Sequence, residues 1–270
     1  MKTSSSYTFF LWLIAAITLF SLVFVFKKDI YASITLEDSF VEYVGFLLLL
    51  ITGVFLVAAG VTALIEKKRK FYACILLIIV GLLFFSASLE EVSWGQRLFG
   101  FATPDYLRDI NGQNELNVHN IDKKFFDRLV DRTTILFVLF STLMILLKRP
   151  SVLGIKLPDA HIIMAFAILP FYHQYNQVHI DFYHLLYIPI LYLAVRSFAK
   201  VNHKEFISAM LTLTVSFLLF WLHTNYNSYF PIHNNSANEV RETLFSLVCA
   251  YYAYTIYDDV RWDRILMGFY

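Results

Sequence analysis

An all-α, polytopic transmembrane bundle of about eight spans is the fold this sequence predicts, with a helical extracytoplasmic segment between spans three and four. Three observations predict it. Hydrophobic residues make up 58% of the chain and charged residues 16%, and a soluble domain needs far more charge to cover its surface. Apolar runs as long as a bilayer core is thick recur from one end to the other. Lysine and arginine concentrate in alternate loops between them.

A spanning helix needs about 20 mainly apolar residues. The segments that answer to this are 7–26, 39–65, 71–89, 128–147, 158–174, 183–199, 205–222 and 242–257. The first run, Tyr7 to Phe26, follows Lys2 but is too long for a signal-peptide core. "FVFKKD" also offers no small-residue cleavage site, so the run reads as an uncleaved first span. The fifth and sixth segments are short or polar at one end. No linker, repeat or low-complexity stretch divides the chain, which reads as a single integral-membrane domain over 1–270.

Orientation follows from the basic loops. "EKKRK" (66–70), "KRPSVLGIKLP" (148–158) and "RSFAKVNHK" (196–204) must share a side, and the positive-inside rule makes it cytoplasmic, with both termini. Loops 173–182 and 223–240 carry no Lys or Arg. A formal charge of +1 gives no footprint for nucleic acid, so the bilayer itself is the first partner. Cys74 and Cys249 lie inside apolar runs, without the spacing of a disulfide framework or a thiolate zinc site.

On this topology the polar residues gather on the outer side. His119, His173, His179, His184, His223 and His233 lie there with Glu90, Glu91, Gln96 and Arg97. An ordinary wet loop favours Lys, Glu, Ser, Gly and Pro. These loops favour His, Asn, Gln, Tyr and Trp, which suit hydrogen-bond networks and ligand contacts.

The run "SLEEVSWGQRLFG" (88–100) puts two acids at the mouth of the third span. If that helix continues through it, Glu90, Trp94 and Arg97 share one face. Glu91 then projects about 100° away. Glu90 reads either as half of a structural ion pair, with Arg97 or Arg241, or as a proton-handling carboxylate. In "TPDYLRDING", Thr103 sits at an N-cap, Pro104 at the first helical position and Asp105 in the first turn of a short surface helix. "DKKFFDRLVDRTT" leads as a helix into the fourth span. The 90–132 segment is therefore an extracytoplasmic cap or a re-entrant stretch.

"HQYNQVHIDFYH" (173–184) is the densest cluster, yet the chain has no HxxxH, HExxH or HxH. A metal site would need ligands from several segments, and His119, His179, His184 and His223 are the candidates for a divalent transition metal such as zinc. The candidate catalytic groups are Glu90, Glu91, His119, His179 and Asp181. Candidate substrate contacts are Trp94, Gln96, Arg97, Asn117, Asn120, His173, Asn176 and Arg241. Arg241 stands on a face poor in cations, where it could neutralise Glu90 or Glu91 or grip an anionic headgroup. No GxSxG, phosphate loop or dinucleotide fingerprint occurs.

The run "EEVSWGQRLFGFATPDYL" followed by "NELNVHN" resembles a signature of uncharacterised bacterial multi-pass membrane proteins, with a weaker echo at "NEVRETLFSL". That resemblance implies a bacterial inner membrane and no particular activity. A fainter one is to the membrane hydrolase superfamily of alkaline ceramidases and progestin/adipoQ-type receptors. Those hold zinc with histidines inside a seven-helix bundle, but their paired HxxxH has no counterpart here. The expected function is thus an enzyme acting on a lipid or lipid-linked substrate, a hydrolase or transferase. A receptor, transporter or structural subunit is the alternative.

Overall fold

The computed structural model describes residues 2–35, 39–108, 110–111, 116–118, 121–172, 180–226 and 236–262. The first four helices are α1 (Lys2–Phe26), α2 (Lys28–Thr35), α3 (Phe40–Ile65) and α4 (Phe71–Glu91). A 3-10 turn (Ser93–Gly95) and two one-turn helices follow, α5 (Gln96–Phe99) and α6 (Asp105–Arg108). Then come α7 (Lys123–Leu146) and a hairpin of β1 (Ser151–Val152) and β2 (Ile155–Lys156). The last helices are α8 (Ala160–Ile168), α9 (Tyr187–Ala199), α10 (His203–Tyr226) and α11 (Ser236–Arg261), with 3-10 turns at Leu169–Phe171 and Ile180–Leu186.

Among the described residues, six stretches are long and apolar enough to cross a membrane: Ser5–Phe26, Phe40–Ile65, Phe71–Glu91, Arg128–Leu146, Phe182–Ala199 and His203–Asn225. They coincide with six of the expected spans, and the helical, multi-pass membrane class rests on them. The other two segments differ. The 158–174 segment is helical only over Ala160–Phe171, a rise of roughly 20 Å against a core of about 30 Å. Pro170, in its 3-10 end, has no N–H to continue the α-helical ladder. The 242–257 segment lies within α11, which is long enough but carries Glu239, Arg241, Glu242, Asp258 and Asp259. Low overall hydrophobicity, from these charges and from Tyr251, Tyr252, Tyr254 and Tyr257, separates it from the other six, not length.

Helices α3, α7 and α9 end alike, each at one of the basic loops. The residue after each last turn is left-handed: Lys67 (φ 54°), Lys148 (φ 55°) and Val201 (φ 54°). The following amide closes back across the turn, Lys68 N to Ala63 O at 2.9 Å, Arg149 N to Met144 O at 2.8 Å and Asn202 N to Ser197 O at 2.9 Å. This is the Schellman closure, made three times without its usual glycine.

The chain divides into two compact units. The first comprises Met1–Val41, Asp131–Pro150 and Leu157–Val248, and the second Glu42–Val130, Ser151–Lys156 and Cys249–Tyr270. In the first, α8 packs against α1, α9 and α10. All nine of its residues are buried, as expected of a helix that is apolar all round. Asp159 caps it by accepting from the amides of His161 (3.0 Å) and Ile162 (3.2 Å).

In the second unit, α3 and α4 meet backbone to backbone through glycine. A Cβ at Gly53 would stand 2.8 Å from the Gly81 carbonyl, and one at Gly60 2.8 Å from the Cys74 carbonyl. Small residues of this kind let membrane helices approach closely enough for dispersion to hold them. Leu56, Ala59, Cys74 and Leu77 continue the contact to Ala253, Ile256 and Val260 of α11. Beside it, Arg69 Nη2 lies 3.2 Å from Asp259 Oδ2, both side chains buried. The Tyr252 hydroxyl donates to the Lys156 carbonyl at 2.6 Å. Lys156 belongs to the hairpin, whose two turn residues, Leu153 and Gly154, both have positive φ (54° and 79°). That is the turn a two-residue hairpin prefers.

Candidate functional site

The two acids at the mouth of α4 do not lie on a helix that continues past them. Helix α4 stops at Glu91, because Ser93 (φ 48°), Trp94 (φ 55°) and Gly95 (φ 80°) are three consecutive left-handed residues. No α-helix accommodates such a run. The condition for Glu90, Trp94 and Arg97 to share a helix face, that the helix continue through them, is therefore not met: the chain makes a sharp turn instead. A bulky residue such as Trp is strained in this conformation and persists there only where its surroundings hold it.

Those surroundings are hydrogen bonds. Trp94 Nε1 donates to Glu90 Oε1 at 2.6 Å, so the ring folds back onto the last turn of α4. The other oxygen of the same carboxylate, Oε2, accepts the backbone N–H of Val118 at 2.6 Å. Glu90 thus fastens the turn and a strand of chain 28 residues downstream with one group. Hydrogen bonds to a carboxylate are among the stronger kind.

Gln96 does a parallel job. Its Oε1 accepts from the Leu116 amide at 2.7 Å and its Nε2 donates to Thr103 Oγ1 at 2.6 Å. Asn111 Nδ2 donates to both the carbonyl (2.7 Å) and the side-chain oxygen (2.8 Å) of buried Asn117. Asn117 Nδ2 in turn reaches Ser93 Oγ at 3.3 Å. The expected short helix is present as α6, one turn from Asp105 to Arg108, with Arg108 N bonded to the Pro104 carbonyl at 3.1 Å. The cap is thus pinned by one acid, Glu90, and by amides, among them Gln96 and Asn117, which sequence reading made candidate substrate contacts.

The first unit holds a second polar cluster. Arg241, buried to 2% exposure, directs Nη1 to Asp131, 3.1 Å from each carboxylate oxygen. The Tyr183 hydroxyl donates to Asp131 Oδ2 at 2.6 Å. Arg241 Nη2 also stands 3.6 Å from Glu242. Sequence reading found Arg241 but neither Asp131 nor Tyr183. Asp131 stood inside an ordinary-looking helix start, and Tyr183 was one tyrosine among 17.

Of the candidate metal ligands, His184 and His223 are described, both among aromatic rings. His184 is exposed and stacks on Tyr187 with ring centres 6.3 Å apart. His223 is buried, between Phe24 (5.4 Å) and Tyr172 (4.9 Å). The Tyr172 hydroxyl pairs with that of Tyr31 at 3.2 Å. Tyr31 lies in α2, outside the spans, and burial pushes its hydroxyl well above the ordinary range, with Tyr172 adding to the rise. Among the described residues, no group of three or more His, Cys, Asp or Glu is placed to hold a metal ion.

His119, Asn120, His173, Asn176 and His179 lie outside the described residues, as do the side chains of Arg97 and Asp181. Glu91 is half-buried at the end of α4. No protein family, curated protein or solved structure matches the chain.

Proposed function

We propose that this protein is an integral membrane enzyme that works at the outer membrane edge on a lipid or lipid-linked substrate, with Glu91 as its general acid or base. The observation that carries this is the placement of two adjacent carboxylates, Glu90 and Glu91, at the end of α4 where the cap begins. Both oxygens of Glu90 are engaged in holding the cap, by Trp94 and Val118. Glu90 is on this reading a positioning residue. Glu91, next to it and about 100° around the helix, sits half-buried at the same mouth, where a carboxyl can exchange a proton with a substrate. Trp94, exposed on the turn that follows, offers a surface at the same mouth, and Gln96 and buried Asn117 hold the cap in place.

The hydrolase or transferase class follows from what such groups do: an acid–base residue at a lipid–water boundary can activate water or an acceptor hydroxyl. Zinc or another divalent metal would add Lewis-acid chemistry, with His119 and His179 as its ligands and His184 and His223 as the further candidates. On this proposal the basic loops and both termini face the cytoplasm of a bacterium, α8 and α11 complete an eight-span bundle, and the kinship is with uncharacterised multi-pass proteins sharing the EEVSWGQR signature.

The deciding experiment incubates detergent-purified protein, with its metal content measured by mass spectrometry, with pooled lipid esters, lipid amides and lipid-linked sugars. Turnover that Glu91→Gln abolishes while its melting temperature holds supports the proposal. Turnover unchanged in Glu91→Gln overturns the role of Glu91, and no turnover of any pool overturns the enzyme reading. The second reading is a structural subunit. It is favoured by one observation, that Tyr183 and Arg241 both donate to buried Asp131, as in a buried architectural network.

A further inference from the structure

The cap that follows α4 presents aromatic side chains outward, although its backbone is neither long nor regular enough to span anything. Phe99 is 81% exposed, Tyr106 72% and Trp94 44%, with Phe101, Ile110 and Val118 exposed as well. A water-facing loop does not carry such a set. Among the described residues of 94–118, six large apolar groups form an exposed patch that needs a partner.

The flanking chain identifies that partner. The cap is held at both ends by segments that qualify as membrane spans, Phe71–Glu91 before it and Arg128–Leu146 after it. Along α4 the exposed residues Tyr72, Leu76, Ile79 and Leu83 recur at spacings of three and four, one stripe of a helix, and such a stripe on a spanning helix faces lipid. The outward apolar surface then resumes beyond the turn, at Trp94 and Phe99. Its middle is aliphatic, at Leu76, Ile79 and Leu83, and exposed aromatic rings follow at Phe85, Trp94 and Phe99, as they do where the bilayer core gives way to its interface. Trp and Tyr suit that layer because each has an apolar body and a polar tip. Asp105 and Arg108, paired at 3.2 Å and solvent-exposed on α6, supply the charge that keeps the cap from sinking further.

We infer that the 94–118 cap lies in the interfacial layer of the membrane, with Trp94, Phe99, Phe101 and Tyr106 immersed among lipid headgroups and upper acyl chains. The partner is the lipid surface itself. Because Trp94 Nε1 is bonded to Glu90, the immersed ring fixes the two acids at headgroup depth. This deepens the enzyme proposal by naming the bond it would reach: one at the headgroup–acyl boundary of a bilayer lipid, entered from the side. The inference rests on the membrane reading but needs no catalysis.

The test is depth-dependent fluorescence quenching. Trp12, Trp221 and Trp262 are changed to Phe, leaving Trp94 as the one tryptophan. The protein goes into phosphatidylcholine nanodiscs containing lipids brominated near the headgroup or near the chain end. Trp94 emission at least halved by shallow bromines, less quenched by deep ones, and shielded from aqueous iodide supports the inference. Emission quenched by iodide and untouched by either bromine overturns it. Phe99→Cys separates the remaining partner: efficient self-crosslinking at that position would assign the patch to a second copy of the chain and overturn the lipid assignment. A wild-type elution profile for each variant shows that the fold is intact, so quenching can fail while turnover survives, or the reverse.

Discussion

Arg241 holds Asp131 through a single nitrogen, Nη1 lying 3.1 Å from both carboxylate oxygens across 110 residues of sequence. Both side chains are buried, at 2% and 9% exposure, and the Tyr183 hydroxyl completes the acid's partners. Desolvating two charges consumes much of what their attraction returns. The pair therefore matters most when one half is missing.

Removing one half is the first prediction. Arg241→Met or Asp131→Asn leaves a buried charge without its counter-charge and lowers stability by about 3–5 kcal/mol. Tyr183→Phe removes one hydrogen bond to a charged acceptor and costs about 1.5–3 kcal/mol. The double variant Asp131→Leu/Arg241→Met recovers a large part of the loss. Unfolding in detergent measured for all four variants checks this; a double variant no better than the singles would mean that the two residues act independently.

The cap should loosen when its acid loses one acceptor. Glu90→Gln keeps one carbonyl oxygen but puts an NH2 where either Trp94 or Val118 donates now. Amide exchange at Val118 should speed up by roughly 10-fold or more, corresponding to about 1.4 kcal/mol of lost hydrogen bonding, while exchange in the middle of α4 stays slow. Equal protection at Val118 in both proteins would contradict the pinning role.

Val201 is β-branched and left-handed at the end of α9, the least comfortable of the three Schellman positions. Val201→Gly should raise stability by up to about 1 kcal/mol, and Lys148→Gly by less. Thermal melts should rise by a few degrees for Val201→Gly. A fall would show that the exposed Val201 side chain makes contacts worth more than the backbone strain.

Stability should also carry a pH signature from Asp259. Burial raises its carboxyl above the ordinary 3.8, against the opposing pull of Lys156 and Arg69. The folded state therefore holds this proton more tightly than the unfolded chain does. Its contribution is fully present below 3.8 and is lost as pH rises through the raised folded value. Over that window Asp259→Asn should show a flatter stability profile than wild type, and parallel profiles would disprove the assignment.

Local features of this chain were legible without coordinates. The six apolar spans, the helical run into α7 and the single turn at Asp105–Arg108 all depend on neighbours within a few residues, and hydrophobic periodicity and capping chemistry encode those directly. Misreadings arose where a local pattern met a constraint from elsewhere. "EEVSWGQR" has helical spacing throughout, yet its chain turns at Ser93 because Asn117, Glu90 and Val118 hold it there. For the 158–174 segment, apolar enough for a span, only packing shows that its nine-residue helix is wholly buried within its own unit.

Sequence alone therefore determined the class of this protein: helical and multi-pass, a membrane bundle. Tertiary structure decided the partners: Asp131 for Arg241, Trp94 and the Val118 amide for Glu90, Asp259 for Arg69. The physical reason is range. Burial in lipid and helical hydrogen bonding are settled residue by residue along the chain, and composition records them. Which carboxylate meets which donor depends on segments 28, 110 or 190 residues apart being packed side by side, and no spacing along one chain records that.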